Sequence, residues 1–440
     1  MSENISPADK NNVSEKERTA IVGLCCPGLR DFESSDEDTM NELEELVKTA
    51  GGETLLRFMQ NRASPDPRTF IGEGKASEIA ALIKENDIEL AVFDNEISPS
   101  QTRALEKELN CRVIDRNALI LDIFADRAKT SEGKLQVELA QYKYILPRLS
   151  GMWGHLVRQT ASGGRSPIGT RGPGETQLET DRRHIRRKIQ KLEEEIAAVK
   201  KVRSTQRRKR LENEMKLVCI VGYTNAGKST LLNSLTGAGI QANNRLFDTL
   251  DPTTRSMETT DGRKILISDT VGFIRNLPHH LVDAFRATLE ELVYADILIH
   301  VIDASDENWP QQADVVEGLI NELGAGETPR IMLFNKIDKL PESMLPRQPG
   351  CVYCSAVKGI GMDALKNKIE EILDRDTRKV SFILPYSDGS LLDWLYKQAN
   401  VVSAEYTEMG IKIKAVCDMR ALGSVKKYLP KEQEREDGEL

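Results

Sequence analysis

Gly222-Tyr223-Thr224-Asn225-Ala226-Gly227-Lys228-Ser229 is the stretch on which the fold turns. The apolar run Leu217 to Val221 leads into it, and a helix-like run, Thr230 to Leu235, follows. These eight residues therefore read as the turn between a buried strand and a helix, with Thr230 in the helix's first turn. Glycines at this spacing let successive backbone N–H groups point inward around phosphates, and Lys228 can reach the β and γ groups. Ser229 offers a hydroxyl to Mg²⁺. Alone, such a loop says only that a nucleotide binds.

The base is specified further along. Asn335-Lys336-Ile337-Asp338 follows the apolar run Ile331 to Phe334, which places it at the carboxyl end of a strand. A carboxylate such as Asp338 accepts two hydrogen bonds from the ring N–H and exocyclic amine of guanine. Adenine offers neither, and a polar mismatch of this kind is worth on the order of 10⁴-fold in selectivity. Ser355-Ala356-Val357, at another strand end, can supply a backbone N–H to the guanine carbonyl. In this order, on alternating strands and helices, the motifs predict a GTP site.

Between the phosphate loop and the base reader lie two segments expected to respond to the third phosphate. Lys264 to Ser268 reads as a strand delivering Asp269-Thr270-Val271-Gly272. Asp269 is expected to hold Mg²⁺ through water, and the Gly272 N–H to meet the γ-phosphate. The remaining metal hydroxyl lies in Phe247-Asp248-Thr249-Leu250-Asp251-Pro252-Thr253-Thr254, where Thr249 is the first candidate and Thr254 the alternative. Loss of the γ-phosphate would release both segments, which makes the domain a switch. The residue after Gly272 is Phe273, where a water-orienting glutamine stands in Ras-like proteins. A phenyl ring cannot orient water, so slow hydrolysis by the isolated chain is expected, with a partner or a cation supplying the rest. Asn225 is a candidate ligand for K⁺ beside the phosphates; equally, it can simply shape the turn.

The chain's 440 residues allow two to four domains, and its 39% hydrophobic and 30% charged content is that of a somewhat polar soluble protein. No apolar stretch approaches the roughly 20 residues of a membrane span. The first residues lack an apolar signal core, so a cytoplasmic location is expected. Seven scattered cysteines fit free thiols in a reducing compartment, and the Cys351/Cys354 pair has no second pair or histidine cluster to make a zinc site. The net charge of −8 argues against nucleic acid on average, but not locally. Arg182, Arg183, Arg186, Arg187 and Lys188 begin a basic stretch that Arg207, Arg208, Lys209 and Arg210 close, and such an arm can bind a phosphate backbone.

The expected organisation is a tail (1–18), an α/β domain (19–128), an antiparallel helical hairpin (129–213), a GTPase domain (214–376) and an α+β domain (377–440). In the first α/β domain, Ala20 to Cys25, Leu90 to Phe93 and Arg112 to Ile114 read as strands. Met40 to Ala50, Lys75 to Lys84 and Ser98 to Leu109 read as helices, giving a small parallel sheet. Gly72-Glu73-Gly74-Lys75 lacks the other glycines of a phosphate loop and reads as a helix start. Lys134 to Leu146 reads as a helix stopped by Pro147, and Leu178 to Leu211 as a longer one. Leu178, Ile185, Ile189, Leu192, Ile196 and Val199 make an apolar seam along the second. The connection (151–177) is expected to be a long loop rich in glycine and arginine. Its Trp153, His155, Arg158, Arg165 and Arg171 can stack on bases and pair with phosphates, as contacts to folded RNA require.

The chain resembles the HflX family of translation-associated GTPases over nearly its whole length. The resemblance rests on Pro65 to Gly72, Gly172-Pro173-Gly174-Glu175-Thr176-Gln177-Leu178-Glu179, Gly222 to Thr230, Phe247 to Thr253 and Asp269 to Phe273. It implies a Ras-like P-loop GTPase domain preceded by a small parallel α/β domain with a long helical hairpin and followed by a small α+β domain. It also implies binding to the large ribosomal subunit and its RNA, with hydrolysis stimulated by the ribosome; a monomer is expected. Splitting or rescue of ribosomes under stress, or antibiotic resistance, would be the task, the hairpin loop reaching toward the peptidyl-transferase region. A GTPase timer in subunit assembly and a signalling GTPase with a protein effector are the alternatives.

Overall fold

The computed structural model describes residues 16–27, 36–160, 177–212, 215–237, 246–259, 263–275, 289, 291–374, 377–398 and 400–429. The chain divides into two compact units. The first takes Met1–Lys200 together with Asn243–Asp251, and the second includes Lys201–Ala242, Pro252–Arg275 and Arg286–Leu440.

The first unit opens with β1 (Arg18–Cys25), α1 (Asp36–Thr49), β2 (Glu53–Asn61), α2 (Glu73–Glu85), β3 (Leu90–Phe93), α3 (Pro99–Leu109), β4 (Arg112–Asp115) and α4 (Arg116–Arg127). The strands lie in the order β2-β1-β3-β4, all parallel. β3 is buried along its length, as the unbroken apolar run Leu90 to Phe93 requires of a strand covered on both faces. α2 packs Ala76, Ile79 and Ile83 inward at helical spacing. Its N-cap, Gly72, donates its N–H to Gln60 Oε1 at 2.9 Å, so the Gly72–Lys75 turn is a helix start. α3 begins in a capping box: the Ser98 hydroxyl accepts the Gln101 N–H while the Gln101 amide oxygen accepts the Ser98 N–H.

Two elements of this first α/β domain have no counterpart in the sequence reading. β2 is an edge strand whose burial alternates from Glu53 to Phe58, but apolar Leu55 stands at an exposed position beside Leu56, so its residue types lack the two-residue period. α4 buries Leu119, Ile120, Leu121, Ile123 and Phe124, more than one stripe of its surface. Its first residue, Arg116, is buried too and is paired with Asp94 at 2.8 Å and Glu42 at 3.0 Å.

Two long helices follow, α5 (Ser131–Thr160) and α6 (Gln177–Glu212). Leu139 of α5 packs with Leu192 and Ile196 of α6, with Ile189 against them. Lys188 is 2.9 Å from Glu138 and Lys143 2.9 Å from Glu193. The expectation that Pro147 ends the first helix is corrected. α5 runs through it, so 151–160 are helical and only 161–176, outside the described residues, remain of the expected loop. A proline inside a helix removes one hydrogen bond and costs about 3 kcal/mol. Flanking contacts offset this. Tyr144 donates its hydroxyl to Asp115 Oδ1 at 2.8 Å, and Arg148 donates to Asp115 Oδ2 and the Ile97 carbonyl, each at 3.0 Å.

The second unit contains β5 (Leu217–Gly222), α7 (Lys228–Thr236), β6 (Thr253–Glu258), β7 (Lys264–Asp269), β8 (Ile297–Asp303), α8 (Trp309–Glu322), β9 (Arg330–Asn335), β10 (Val352–Tyr353) and α9 (Met362–Leu373). Its sheet has the order β10-β9-β8-β5-β7-β6, parallel except for β6 against β7. Strand order reverses at β5, so the loop after β5 opens into the crevice where doubly wound sheets bind ligands. Leu231, Leu232 and Leu235 of α7 lock that helix onto the sheet. Truncating Leu232, fully buried, to alanine would cost roughly 2–5 kcal/mol and loosen the helix that starts the phosphate loop.

The chain ends in β11 (Thr377–Leu384), α10 (Ser390–Gln398), β12 (Asn400–Thr407), β13 (Gly410–Asp418) and α11 (Met419–Val425). The antiparallel sheet β11-β13-β12 is covered by Leu392 and Leu395 of α10 and Ala421 and Val425 of α11. No helix among the described residues is long and apolar enough to cross a membrane.

Candidate guanine-nucleotide site

The phosphate loop is built by close approach. Gly222 sits at φ +153°, where a Cβ would come 2.3 Å from the Val301 carbonyl oxygen, so only glycine lets β5 pass β8 at that point. Gly227, at φ +96°, would place a Cβ 2.3 Å from the Asn335 amide nitrogen. α7 starts at once on Lys228, with no side chain capping its first turn. Its N-terminal N–H groups and positive dipole end thus face the loop. Lys228 is buried, and its ammonium donates to the carbonyls of Gly222 at 3.1 Å and Tyr223 at 2.7 Å. Burial pushes it down to about 8; the Asp269 charge opposes this and the Lys336 charge adds to it.

The Ser229 hydroxyl donates to Asp269 Oδ2 at 2.6 Å. The donors fit Mg²⁺: two hard oxygens converge from the first turn of α7 and the end of β7. Thr270 donates its hydroxyl to the Ile220 carbonyl at 2.7 Å, fixing the chain after β7 against β5. Val271 is buried beside it. Phe273 is buried and extends this pairing: its carbonyl accepts the Thr224 N–H at 2.7 Å and its N–H donates to the Gly222 carbonyl at 3.1 Å.

At the base-reading end, Asn335 ties three segments together. Its amide donates to the Ala226 carbonyl at 2.9 Å, and its Oδ1 accepts the Ala356 N–H at 3.0 Å. Lys336, at φ +63°, lays its ammonium on the Asn225 carbonyl at 2.7 Å and on Asp303 Oδ2 at 2.6 Å. Asp338 accepts the Ser355 hydroxyl at 2.6 Å, and that bond holds its carboxyl below the usual carboxylate range. Ile337 and Val357 flank the reader, and Val357 is exposed. Sequence reading overlooked Asp303, which positions Lys336; the sign was there in an acidic residue closing the stretch Ile297 to Ile302, apolar but for His300. It also overlooked the phenol of Tyr223, which accepts the Arg275 N–H at 2.9 Å.

The segment Phe247 to Asp251 belongs to the first unit. Phe247 meets Phe124 edge to face at 4.7 Å, Leu250 is buried, and Asp248 and Thr249 are half-buried between them. The Asp251 carboxylate accepts the backbone N–H groups of Lys129 and Thr130 and the Thr130 hydroxyl. Thr254, the alternative metal ligand, lies in β6 with its hydroxyl 3.1 Å from that of Ser268. Among the residues expected to meet RNA, Arg183, Arg186 and Arg187 are exposed on α6 and Arg182 is half-buried. Trp153, His155 and Arg158 lie on α5, and Arg165 and Arg171 lie outside the described residues.

Three family models match in succession: GTP-binding GTPase N-terminal over residues 37–125, GTP-binding GTPase Middle Region over 127–210, and 50S ribosome-binding GTPase over 217–336. The chain is 45% identical to GTPase HflX of Caldanaerobacter subterraneus subsp. tengcongensis, covering 92% of each. It is 44% identical to GTPase HflX of Escherichia coli, over 86% of this chain and 88% of that protein. A GTP-binding protein from Sulfolobus solfataricus, solved in complex with GDP, aligns with 81% of this chain and 99% of its own at 25% identity and a TM-score of 0.41. With 45% and 44% identity to the two HflX proteins over 92% and 86% of its length, the chain belongs to the HflX family of GTPases.

Proposed function

We propose that this GTPase binds the large ribosomal subunit and its RNA in the GTP state and splits, rescues or remodels ribosomes under stress or antibiotic challenge. The observation that carries the reading is the match of residues 217–336 to a family described as 50S ribosome-binding. The exposed Arg183, Arg186 and Arg187 of α6 support it, because an otherwise acidic chain keeps a basic face there for phosphates.

At the nucleotide, the loop N–H groups and Lys228 hold the phosphates, and the Asp338 carboxylate selects guanine. Ser229 and Asp269, with Thr249 as the third protein oxygen, would hold Mg²⁺, which neutralises charge on the β- and γ-phosphates when bound. Asn225, exposed at φ +59°, would offer its amide oxygen to K⁺ in this reading. Phe273 brings no group that orients water, so hydrolysis is slow until the ribosome stimulates it. The protein acts as a monomer in the cytoplasm. Sucrose-gradient sedimentation with purified ribosomes tests the proposal. Co-migration with large subunits in a non-hydrolysable GTP analogue but not in GDP is expected; equal retention in both would sink it, and binding only to precursor particles would favour an assembly timer.

A further inference from the structure

Thr224 occupies the third position of the phosphate loop and is 6% exposed. Its Oγ1 is enclosed with no hydrogen-bond partner among the described residues. An unpaired buried hydroxyl has given up its water without a replacement partner and is destabilising. The contrast with Thr270 is direct, since that hydroxyl, equally buried, is satisfied by the Ile220 carbonyl.

What encloses Thr224 is the segment that follows β7. A Cβ built on Gly272 would lie 2.9 Å from Thr224 Cγ2, 3.0 Å from Thr224 Cα and 3.0 Å from Lys228 Nζ. Gly272 is therefore seated on the two residues that would flank a third phosphoryl group. Three hydrogen bonds keep it there: Thr224 N–H to the Phe273 carbonyl, Phe273 N–H to the Gly222 carbonyl, and Arg275 N–H to the Tyr223 phenol. A third phosphoryl group held between Thr224 and Lys228 would have to share this space with Gly272.

We propose that the Thr224 hydroxyl reads the γ-phosphoryl group. It is left unsatisfied while Gly272 covers it and donates to a γ-phosphoryl oxygen once that segment moves aside. The enclosed hydroxyl thereby raises the free energy of the covered arrangement, and a charge-assisted hydrogen bond lowers that of the triphosphate-bound one. Both effects favour GTP over GDP. The proposal rests on the site being a GTP site.

The test uses the full chain carrying Thr224→Val, which replaces the hydroxyl by a methyl at nearly constant volume, and Thr224→Ser, which keeps it. Affinities for fluorescent GDP and a fluorescent non-hydrolysable GTP analogue are measured, with single-turnover GTP hydrolysis. Thr224→Val is expected to weaken the analogue by about tenfold or more relative to any change in GDP affinity, with slower hydrolysis, as loss of one charge-assisted bond implies. Thr224→Ser should restore both. Unchanged analogue affinity in the valine variant, or equal losses for both nucleotides, would overturn the proposal while tight GDP binding by the wild type leaves the GTP site standing. Should the valine variant fail to fold, Thr224→Ala against Thr224→Ser makes the same comparison. A wild-type chain that binds neither guanine nucleotide overturns the site and the proposal together.

Discussion

Asp251 accepts the backbone N–H of Lys129 at 2.8 Å and that of Thr130 at 2.9 Å, across more than 120 residues of chain. Thr130 in turn caps α5: its hydroxyl accepts the Gly133 N–H at 3.0 Å and donates to Asp251. A carboxylate so placed satisfies orphan donors at the positive end of a 30-residue helix. Gly133 is the space that admits it, because a Cβ there would come 2.3 Å from Asp251 Oδ1.

Asp251→Asn removes the charge and turns an amide toward N–H donors, which should cost about 1–2 kcal/mol locally. Hydrogen exchange is the suitable measurement, since a chain of several units does not unfold in one step. Protection of the Lys129 and Thr130 amides should fall about tenfold for a loss of that size. The Val22 amide, in the buried middle of β1, should not change. Unaltered exchange at 129 and 130 would show that the carboxylate holds nothing.

Asp338→Asn should convert the base preference. The carboxylate accepts two donors from guanine; an asparagine keeps one acceptor and presents an NH₂, which matches the carbonyl of xanthine. Calorimetry should show GDP weakened by about 10²–10³-fold and xanthosine diphosphate gaining. The pH dependence has a definite sign. Ser355 holds the Asp338 carboxyl below its ordinary value of 3.8, so its charge, and the guanine contact it makes, is present above that value and lost only as pH falls further. Wild-type GDP affinity should therefore show no Asp338 limb between pH 8 and about 5, and Ser355→Ala should move the acid limb upward. Loss of GDP binding near pH 6 by protonation of this residue would contradict the assignment.

Much of the second unit was legible in the sequence because its chemistry is local. Gly222 to Ser229, Asp269 to Gly272 and Asn335 to Asp338 each follow a short apolar strand, and strand, turn and site residue arrive together. What stayed hidden depends on tertiary contact. Helix propensity stops at Pro147, but Arg148 and Tyr144 reach Asp115, a partner that no local pattern names. Asp251 stands in a motif read for nucleotide, and its Lys129 and Thr130 partners are invisible without the fold. β2 is missed because an apolar residue, Leu55, occupies an exposed edge position and hides the alternation that its burial shows.

Restoring a glutamine at position 273 should not restore fast hydrolysis. Phe273 is 1% exposed and its backbone is bonded on both sides to the phosphate loop, so a polar side chain there would be buried rather than presented to water. Phe273→Gln is expected to cost about 3 kcal/mol as a lost core aromatic and to leave the single-turnover rate no higher than wild type. A rate increase of tenfold or more would mean that the side chain can leave its packing.

Acid should weaken β8 through Glu317. His300 is buried in that strand and its Nδ1 lies 3.1 Å from Glu317 Oε1 on α8, where Arg330 also pairs with the carboxylate. The His300 hydrogen bond, more than the Arg330 charge, holds the Glu317 carboxyl below its ordinary 4.5. A carboxyl depressed on folding contributes stability above its unfolded value and loses that contribution as pH falls through the folded one. At pH 7, Glu317→Gln should therefore lower the unfolding temperature of the second unit by about 4 °C, the equivalent of one charge-assisted bond. The gap between variant and wild type should hold above the ordinary value of 4.5 and close as pH falls below it and the wild-type carboxyl takes up its proton. The same strand ends at Asp303, which holds Lys336 over the phosphate loop, so GDP should raise the unfolding temperature of wild type and variant by similar amounts while the site stays intact. A gap that persists unchanged to pH 3 would assign the loss to packing and not to the ion pair.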